Sequence, residues 1–143
     1  MKFKSILSIA SLLFFFLLLS AYSAYAYLHP AELRIKNTSQ RHLTVKIMKQ
    51  ISGNKGKKYT TVNISKKSNK TININETGNY YLKTKAVILG KDPVYKKGEP
   101  FKVYVGSDGY SVLTITFSIQ ESSLPNPLSG KQISKSDFDS DSD

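Results

Sequence analysis

Alternation of apolar and polar residues is the dominant pattern of this chain after residue 31. It is clearest in residues 112–119, where apolar positions are Leu113, Ile115, Phe117 and Ile119. The same period of two recurs in six further segments, at Leu33 and Ile35; Leu43, Val45 and Ile47; Val62 and Ile64; Ile72 and Ile74; Tyr80, Leu82, Thr84 and Ala86; and Phe101, Val103 and Val105. This period places alternate side chains on opposite faces of a β-strand. Because no sustained 3.6-residue pattern follows residue 26, the chain is predicted to be all-β with essentially no helix.

Turn-forming residues separate these segments. Gly53 and Gly56 divide two of them, and Ser107-Asp108-Gly109 precedes the last. About seven short strands at this spacing are typical of a two-sheet sandwich. Residues 27–123 are therefore predicted to form a single β-sandwich domain.

The longest connection between predicted strands is residues 90–100, which carries Tyr95 between lysines. Long loops on a rigid sandwich often carry recognition residues. The loop is interpreted either as a recognition loop that presents Tyr95 or as a plain crossover between the sheets, held by Val94 or Tyr95.

The first residues are typical of an export signal. Lys2 and Lys4 precede an apolar run over residues 6–19, and Ala24-Tyr25-Ala26 offers a small-x-small cleavage pattern. The apolar run is shorter than a membrane span, which needs about 20 residues. Residues 1–26 are therefore predicted to be a cleaved signal peptide, with an uncleaved membrane anchor as the alternative.

Export and the absence of cysteine bear on the source and location of the protein. A small exported eukaryotic domain more often carries disulfides, and this chain contains no cysteine. The prediction is an exported bacterial protein, periplasmic or extracellular, with no stable transmembrane segment after cleavage.

Residue types that perform catalysis are scarce. The chain has two histidines, His29 and His42, and neither has an obvious orienting carboxylate in the sequence, as a catalytic base needs. No phosphate-binding glycine loop, metalloprotease histidine pair or nucleophile elbow occurs. The chain is predicted not to be an enzyme and to use no metal or cofactor, and a small hydrolase is only the third hypothesis.

Residues 124–143 differ from the rest of the chain because they are polar and end in alternating aspartates. A calcium loop would need a central glycine and a closing glutamate, and both are missing. The segment is predicted to be a flexible acidic tail. Two further possibilities are that it lies on the domain through Ile133 and Phe138, and that it screens the basic body electrostatically.

Basic charge is the most informative feature of the predicted domain, because the whole chain has a formal net charge of +11. Strand parity places a set of lysines and tyrosines outward, with one more tyrosine in the long loop. These candidate binding residues are Tyr81, Lys83, Lys85, Lys102, Tyr104 and Tyr95, with Lys46 outward by the same parity. Such a face attracts anions, so the predicted partner is a protein or an anionic envelope glycan or lipid. Export argues against nucleic acid, and the alternative is a face that only confers solubility.

The stretch Glu76-Thr77-Gly78-Asn79-Tyr80-Tyr81-Leu82 resembles the Asp-x-Gly-x-Tyr-x-Cys stretch of immunoglobulin-like sandwiches. In that family the tyrosine bonds to nearby backbone at a corner. The resemblance implies an immunoglobulin-like sandwich with Tyr80 at the corner, although the family's cysteines and tryptophan are missing. Residues 80–119, including Gly90-Lys91-Asp92-Pro93-Val94-Tyr95, resemble small exported bacterial β-sandwich proteins of uncharacterised function.

A second hypothesis belongs to a different class. The chain would be a structural or assembly subunit that associates through exposed edge strands, such as Glu32–Lys36.

Overall fold

Nine strands and one short helix make up the part of the chain that the computed structural model describes, residues 28–53, 55–119 and 130–142. The strands are β1 (Ala31–Asn37), β2 (His42–Ser52), β3 (Lys55–Ile64), β4 (Asn69–Ile74), β5 (Gly78–Ile88), β6 (Lys91–Lys97), β7 (Phe101–Val103), β8 (Val112–Phe117) and β9 (Lys131–Gln132). The helix α1 spans Lys135–Asp139. The predicted signal peptide lies outside the described residues.

The strands form two sheets. One has three strands in the order β4-β1-β8, in which β1 runs antiparallel to β4 and parallel to β8. The other has six strands in the order β3-β2-β5-β6-β9, with β7 paired to the start of β5. The all-β prediction is confirmed.

The alternating apolar residues form the core between the sheets. Leu33, Ile35, Val45 and Ile47 are almost completely buried, whereas the intervening Arg34 is exposed. A period of two leaves one face of each strand apolar, and joining two such faces removes both from water.

Tyr80 occupies the middle of an aromatic group in this core. Its ring is fully buried and lies 5.6 Å from that of Tyr59 and 6.5 Å from that of Phe101. Its hydroxyl donates a 2.9 Å hydrogen bond to the carbonyl oxygen of Glu76. Burial, with smaller contributions from Tyr59 and Glu76, raises the pKa of Tyr80 to about 12. The bond is local, because Glu76 lies four residues before Tyr80 in the chain.

The loop prediction for residues 90–100 is wrong over most of its length. Lys91–Lys97 is strand β6, which returns along β5 in the same sheet and is not a crossover between sheets. Pro93, which interrupts the alternating pattern, is accommodated where the register with β5 shifts between Ala86 and Ile88. A bulge tolerates proline because the ladder is already broken there.

The chain was predicted to have essentially no helix, and the described residues contain one short helix, α1, within residues 131–142. These residues lie against the six-stranded sheet, with Phe138 buried. Residues 124–129 of the predicted tail lie outside the described part of the chain.

The prediction that Glu32–Lys36 is an exposed edge strand is wrong as well. Glu32–Lys36 pairs with β4 on one side and β8 on the other, so it belongs to a central strand.

Among the described residues, no helix is long and apolar enough to cross a membrane.

Candidate binding site on the outer face of the six-stranded sheet

Four lysines lie directly opposite one another on the outer face of the six-stranded sheet. Register pairs Lys46 of β2 with Lys83 of β5, Lys83 with Lys97 of β6, and Lys97 with Lys131 of β9. We call Lys46, Lys83, Lys97 and Lys131 the lysine row. Neighbouring strands are about 4.8 Å apart, so the row brings four like charges together, and like charges opposite each other destabilise a sheet.

Residues 131–142, which we call the docked segment, supply Lys131 to the lysine row and cross this face over Lys46, Lys83 and Lys97. The segment begins as β9, where Lys96 and Lys97 pair with Gln132 and Lys131, and the amide of Ile133 donates to the Tyr95 carbonyl at 3.1 Å. It then forms α1, which packs against β5 and β6. It ends at β3, where the Lys58 amide donates to the Asp141 carbonyl at 2.9 Å.

Gly130 allows the docked segment to approach β6 closely. Its φ is +75°, and a Cβ there would lie 2.6 Å from the carbonyl oxygen of Lys97. A residue with a side chain would be strained at this φ and would collide with the β6 backbone.

A capping box holds the start of α1. The Asp137 amide donates to the Ser134 hydroxyl at 3.0 Å, and the Ser134 amide donates to the Asp137 carboxylate at 3.3 Å. The helix has a single buried residue, Phe138, which is 4% exposed. Its ring lies 5.5 Å from the Tyr95 ring, and the Lys46 ammonium lies 5.2 Å from its centroid.

Lys83 is buried beneath the docked segment, with 1% of its surface exposed. Its ammonium donates to the carbonyl oxygens of Asp137 at 2.8 Å and Ser140 at 3.4 Å. The last turn of a helix leaves carbonyls without helical partners and carries partial negative charge. Lys83 lies beneath that end, and its ammonium therefore donates to these carbonyls in place of water.

Lys46 extends the same pattern toward β3. Its ammonium donates to the Asp139 carbonyl at 2.9 Å and to the Asp141 carboxylate at 2.7 Å. The other oxygen of the same carboxylate accepts from Lys58 at 2.5 Å. Hydrogen bonds from Lys46 and Lys58 lower the pKa of Asp141 to about 2. The Asp141 carboxylate thus offsets the positive charge of one lysine on β2 and one on β3.

Tyr81 lies on the outer face beside the lysine row and is 2% exposed. Its ring lies over Gly56 of β3 and beneath the Lys97 ammonium, 4.5 Å from the ring centroid. Its burial shows that the face is packed as well as charged.

The structure brings four of the six predicted binding residues together. Tyr81 and Lys83 are buried, while Lys85 and Tyr95 are half-buried and lie opposite each other in register. The Lys85 ammonium lies 5.9 Å from the Tyr95 ring centroid, a cation–π distance.

The other two predicted residues are placed differently. Lys102 is exposed at the far end of the outer face, opposite Asn79. Tyr104 follows β7 in the turn toward β8 and donates a 2.7 Å hydrogen bond to Asp108. This bond raises the pKa of Tyr104 and lowers that of Asp108. Tyr104 thus belongs to a turn and lies apart from the lysine row.

Sequence reasoning missed part of the site. Lys97 and Lys58 are not among the predicted binding residues, and Lys97 lies in the segment predicted to be a loop. Phe138 was one of the two residues through which the tail was predicted, as one possibility, to lie on the domain, and Asp141 is one of the alternating aspartates of that tail.

The two histidines lie just before or at the start of a strand. His29 precedes β1 with its ring centroid 5.8 Å from that of Tyr110, and His42 is exposed at the start of β2. The described residues contain no group of three or more histidines or acids that could hold a metal ion.

A cavity of about 710 Å³ lies between the two sheets. Ile35, Leu82 and Phe117 line its apolar wall, and Lys96, whose pKa is lowered by burial, lies at its side. We assign it no ligand, because Ser118 and Gly130 in its wall border residues 120–129, outside the described part of the chain.

No protein-family model matches this chain, and neither a curated protein nor a solved structure matches it.

Proposed function

We propose that this chain is an exported, non-catalytic binding module that engages an anionic partner through the outer face of its six-stranded sheet. The observation that carries the proposal is the lysine row, in which Lys46, Lys83 and Lys97 lie on three adjacent strands and the docked segment adds Lys131. Such an arrangement costs stability unless an anion or a set of hydrogen-bond acceptors neutralises it.

The chemistry of the row favours a partner rich in carboxylates or carbonyls. In the structure its acceptors are three backbone carbonyls and the Asp141 carboxylate. Lysine is a point charge with rotatable donors and lacks the fixed fork of arginine. The face therefore selects by charge and by the packing of Tyr81 and Tyr95, which suits an acidic polypeptide, with anionic envelope glycan and lipid as the other partner classes.

The sandwich is proposed to be of the immunoglobulin-like type. Support comes from the paired hairpins β2-β3 and β5-β6, which share one sheet through β2 and β5, and from the partnership of β1 with β4 in the other. The Tyr80–Glu76 bond near the start of β5 is the kind of bond that defines a tyrosine corner.

Charge reversal on the uncovered part of the outer face tests the proposal. The variant Lys85→Glu/Lys102→Glu is compared with wild type for binding to heparin and to vesicles that contain phosphatidylglycerol, at low and high salt. We expect roughly tenfold or greater weakening at low salt, since each basic residue near an anionic surface contributes about 1 kcal/mol.

The matched control is Lys36→Glu, which reverses an exposed lysine on the outer face of the three-stranded sheet. An equal loss per reversed charge in the control would show that net charge alone drives binding, and the proposed face would be withdrawn.

A second candidate function is assembly through edge strands. Within the described residues β4 and β8 are the outer strands of the three-stranded sheet, and an unpaired edge can accept a strand from a neighbour. A single monomeric species at all concentrations in sedimentation experiments would argue against this candidate.

A further inference from the structure

We propose that the outer face is a peptide-binding site, and that the docked segment occupies it as an exchangeable internal ligand. The ligand class is a short acidic peptide that pairs with the edge of β6 and then presents an aromatic residue followed by a carboxylate three positions later. This inference rests on the proposed function and narrows its partner to a polypeptide.

Backbone pairing forms the first part of the recognition. The pairs Lys96–Gln132 and Lys97–Lys131 and the Ile133 amide bond join the docked segment to β6. The side chains of Lys131 and Gln132 are exposed, so this pairing depends on main-chain atoms. A strand of different sequence can make the same bonds, as in binding by strand addition.

An aromatic side chain forms the second part. Phe138 is the one buried residue of the docked segment. It lies between Tyr95 and the Lys46 ammonium, at the distances given above. A buried aromatic anchor within a polar periphery is the usual source of binding energy at a peptide site.

A carboxylate forms the third part. Asp141 follows Phe138 by three residues and bonds to both Lys46 and Lys58. Its backbone carbonyl accepts from the Lys58 amide. Lys46 thus contacts both the aromatic ring and the carboxylate, and their spacing sets the register of the peptide.

The attachment of the docked segment has the features of an exchangeable contact. Apart from Phe138, its residues are exposed or half-buried, and its bonds run to lysines and to backbone at the surface. Elements with little buried apolar area open at lower free energy than the core. An outside peptide must compete with this internal ligand, which lowers its apparent affinity by the fraction of open sites.

Placing the same substitution in the chain and in a peptide tests the inference. A fluorescent peptide of residues 130–142 is titrated against the full chain and its Phe138→Ala variant, with circular dichroism to verify folding. We expect the wild-type peptide to bind the variant chain at least about tenfold more tightly than the wild-type chain, because the internal competitor is weakened. A peptide with Phe138→Ala should lose about tenfold or more against either chain.

Two further measurements make the result specific. A peptide with Asp141→Asn should bind more weakly, whereas the chain variant Lys36→Glu should leave peptide affinity within about twofold of wild type. Failure of the wild-type peptide to bind the folded Phe138→Ala chain would overturn the inference. If heparin or vesicles still bound the outer face, the proposed function would survive, and loss of both would end both.

Discussion

At the scale of the residue, Lys83 shows how the docked segment changes the outer face. Strand parity directs it outward on β5, yet it is almost fully buried because the docked segment lies above it. A buried ammonium is costly unless it is hydrogen-bonded, and Lys83 meets the Asp137 and Ser140 carbonyls. Lys83 therefore lies on the outer surface of the sheet, and the docked segment buries it.

Replacement of this lysine should reveal its contribution. We expect Lys83→Met to lower the free energy of unfolding by about 1–3 kcal/mol, because the Asp137 and Ser140 carbonyls lose their hydrogen-bond donor. Lys85→Met, two residues along the same face, should cost less than about 0.5 kcal/mol, as expected for a partly exposed position. Urea denaturation measures both variants, and equal losses would contradict a special role for Lys83.

At the scale of the element, β6 shows how local sequence and sheet pairing compete. Its Pro93 and its lysines are typical of a loop. Its backbone nevertheless pairs with β5 as a strand of the sheet. Pairing is possible because Leu89 and Gly90 close a tight turn, in which Gly90 has a φ of +78°. The position of β6 then provides Tyr95 and the edge on which β9 lies.

Gly90 should be sensitive to substitution for this reason. We expect Gly90→Ala to lower the free energy of unfolding by about 1–2 kcal/mol, since a side chain is disfavoured at a positive φ. No heavy atom outside its chain neighbours lies within 4 Å of the position of its missing Cβ, so the cost would be backbone strain alone. Gly109→Ala is the matched control, because its site is equally open and its φ is not positive. Thermal unfolding compares the two, and a Gly90→Ala variant as stable as Gly109→Ala would contradict the assigned turn.

At the scale of the whole molecule, opposite charges lie far apart in the sequence and close together in the fold. The basic strands precede the acidic docked segment, and Asp141 joins Lys46 of β2 to Lys58 of β3. Under the proposal made above, the outer face has two states, one covered by the chain itself and one open to a partner.

Acid should weaken the attachment of the docked segment. The hydrogen bonds from Lys46 and Lys58 lower the pKa of Asp141 from its ordinary value of about 3.9 to about 2. The interaction is therefore fully present above about pH 4 and is lost as the pH falls toward 2. The proton NMR signals of the Phe138 ring, which packs near Tyr95, should report the weakening.

The control for this titration is chemical. Asp141→Asn should weaken docking at neutral pH and remove this transition, whereas Asp139→Asn should keep it, since the Asp139 carboxylate pairs with Lys135 across an exposed turn. An unchanged acid transition in Asp141→Asn would show that another group holds the segment.

The alternating residues were enough to predict two β-sheets with an apolar core and an outward face bearing Tyr81, Lys83 and Lys85. Side-chain period depends only on strand geometry and is readable from one segment at a time. The Tyr80 bond to Glu76 is likewise local, because its two residues are four apart in the sequence.

Sequence alone determined which side chains leave each strand on which face, because that follows from local backbone geometry. Tertiary structure decided which strands are neighbours, that β1 is central, that β6 is a strand, and that residues 131–142 lie over the lysine row. Those outcomes depend on pairing between segments, which for the docked segment joins residues as far apart in the chain as Lys46 and Asp141. Such contacts stabilise the protein only after the sheet has formed and brought the partners together.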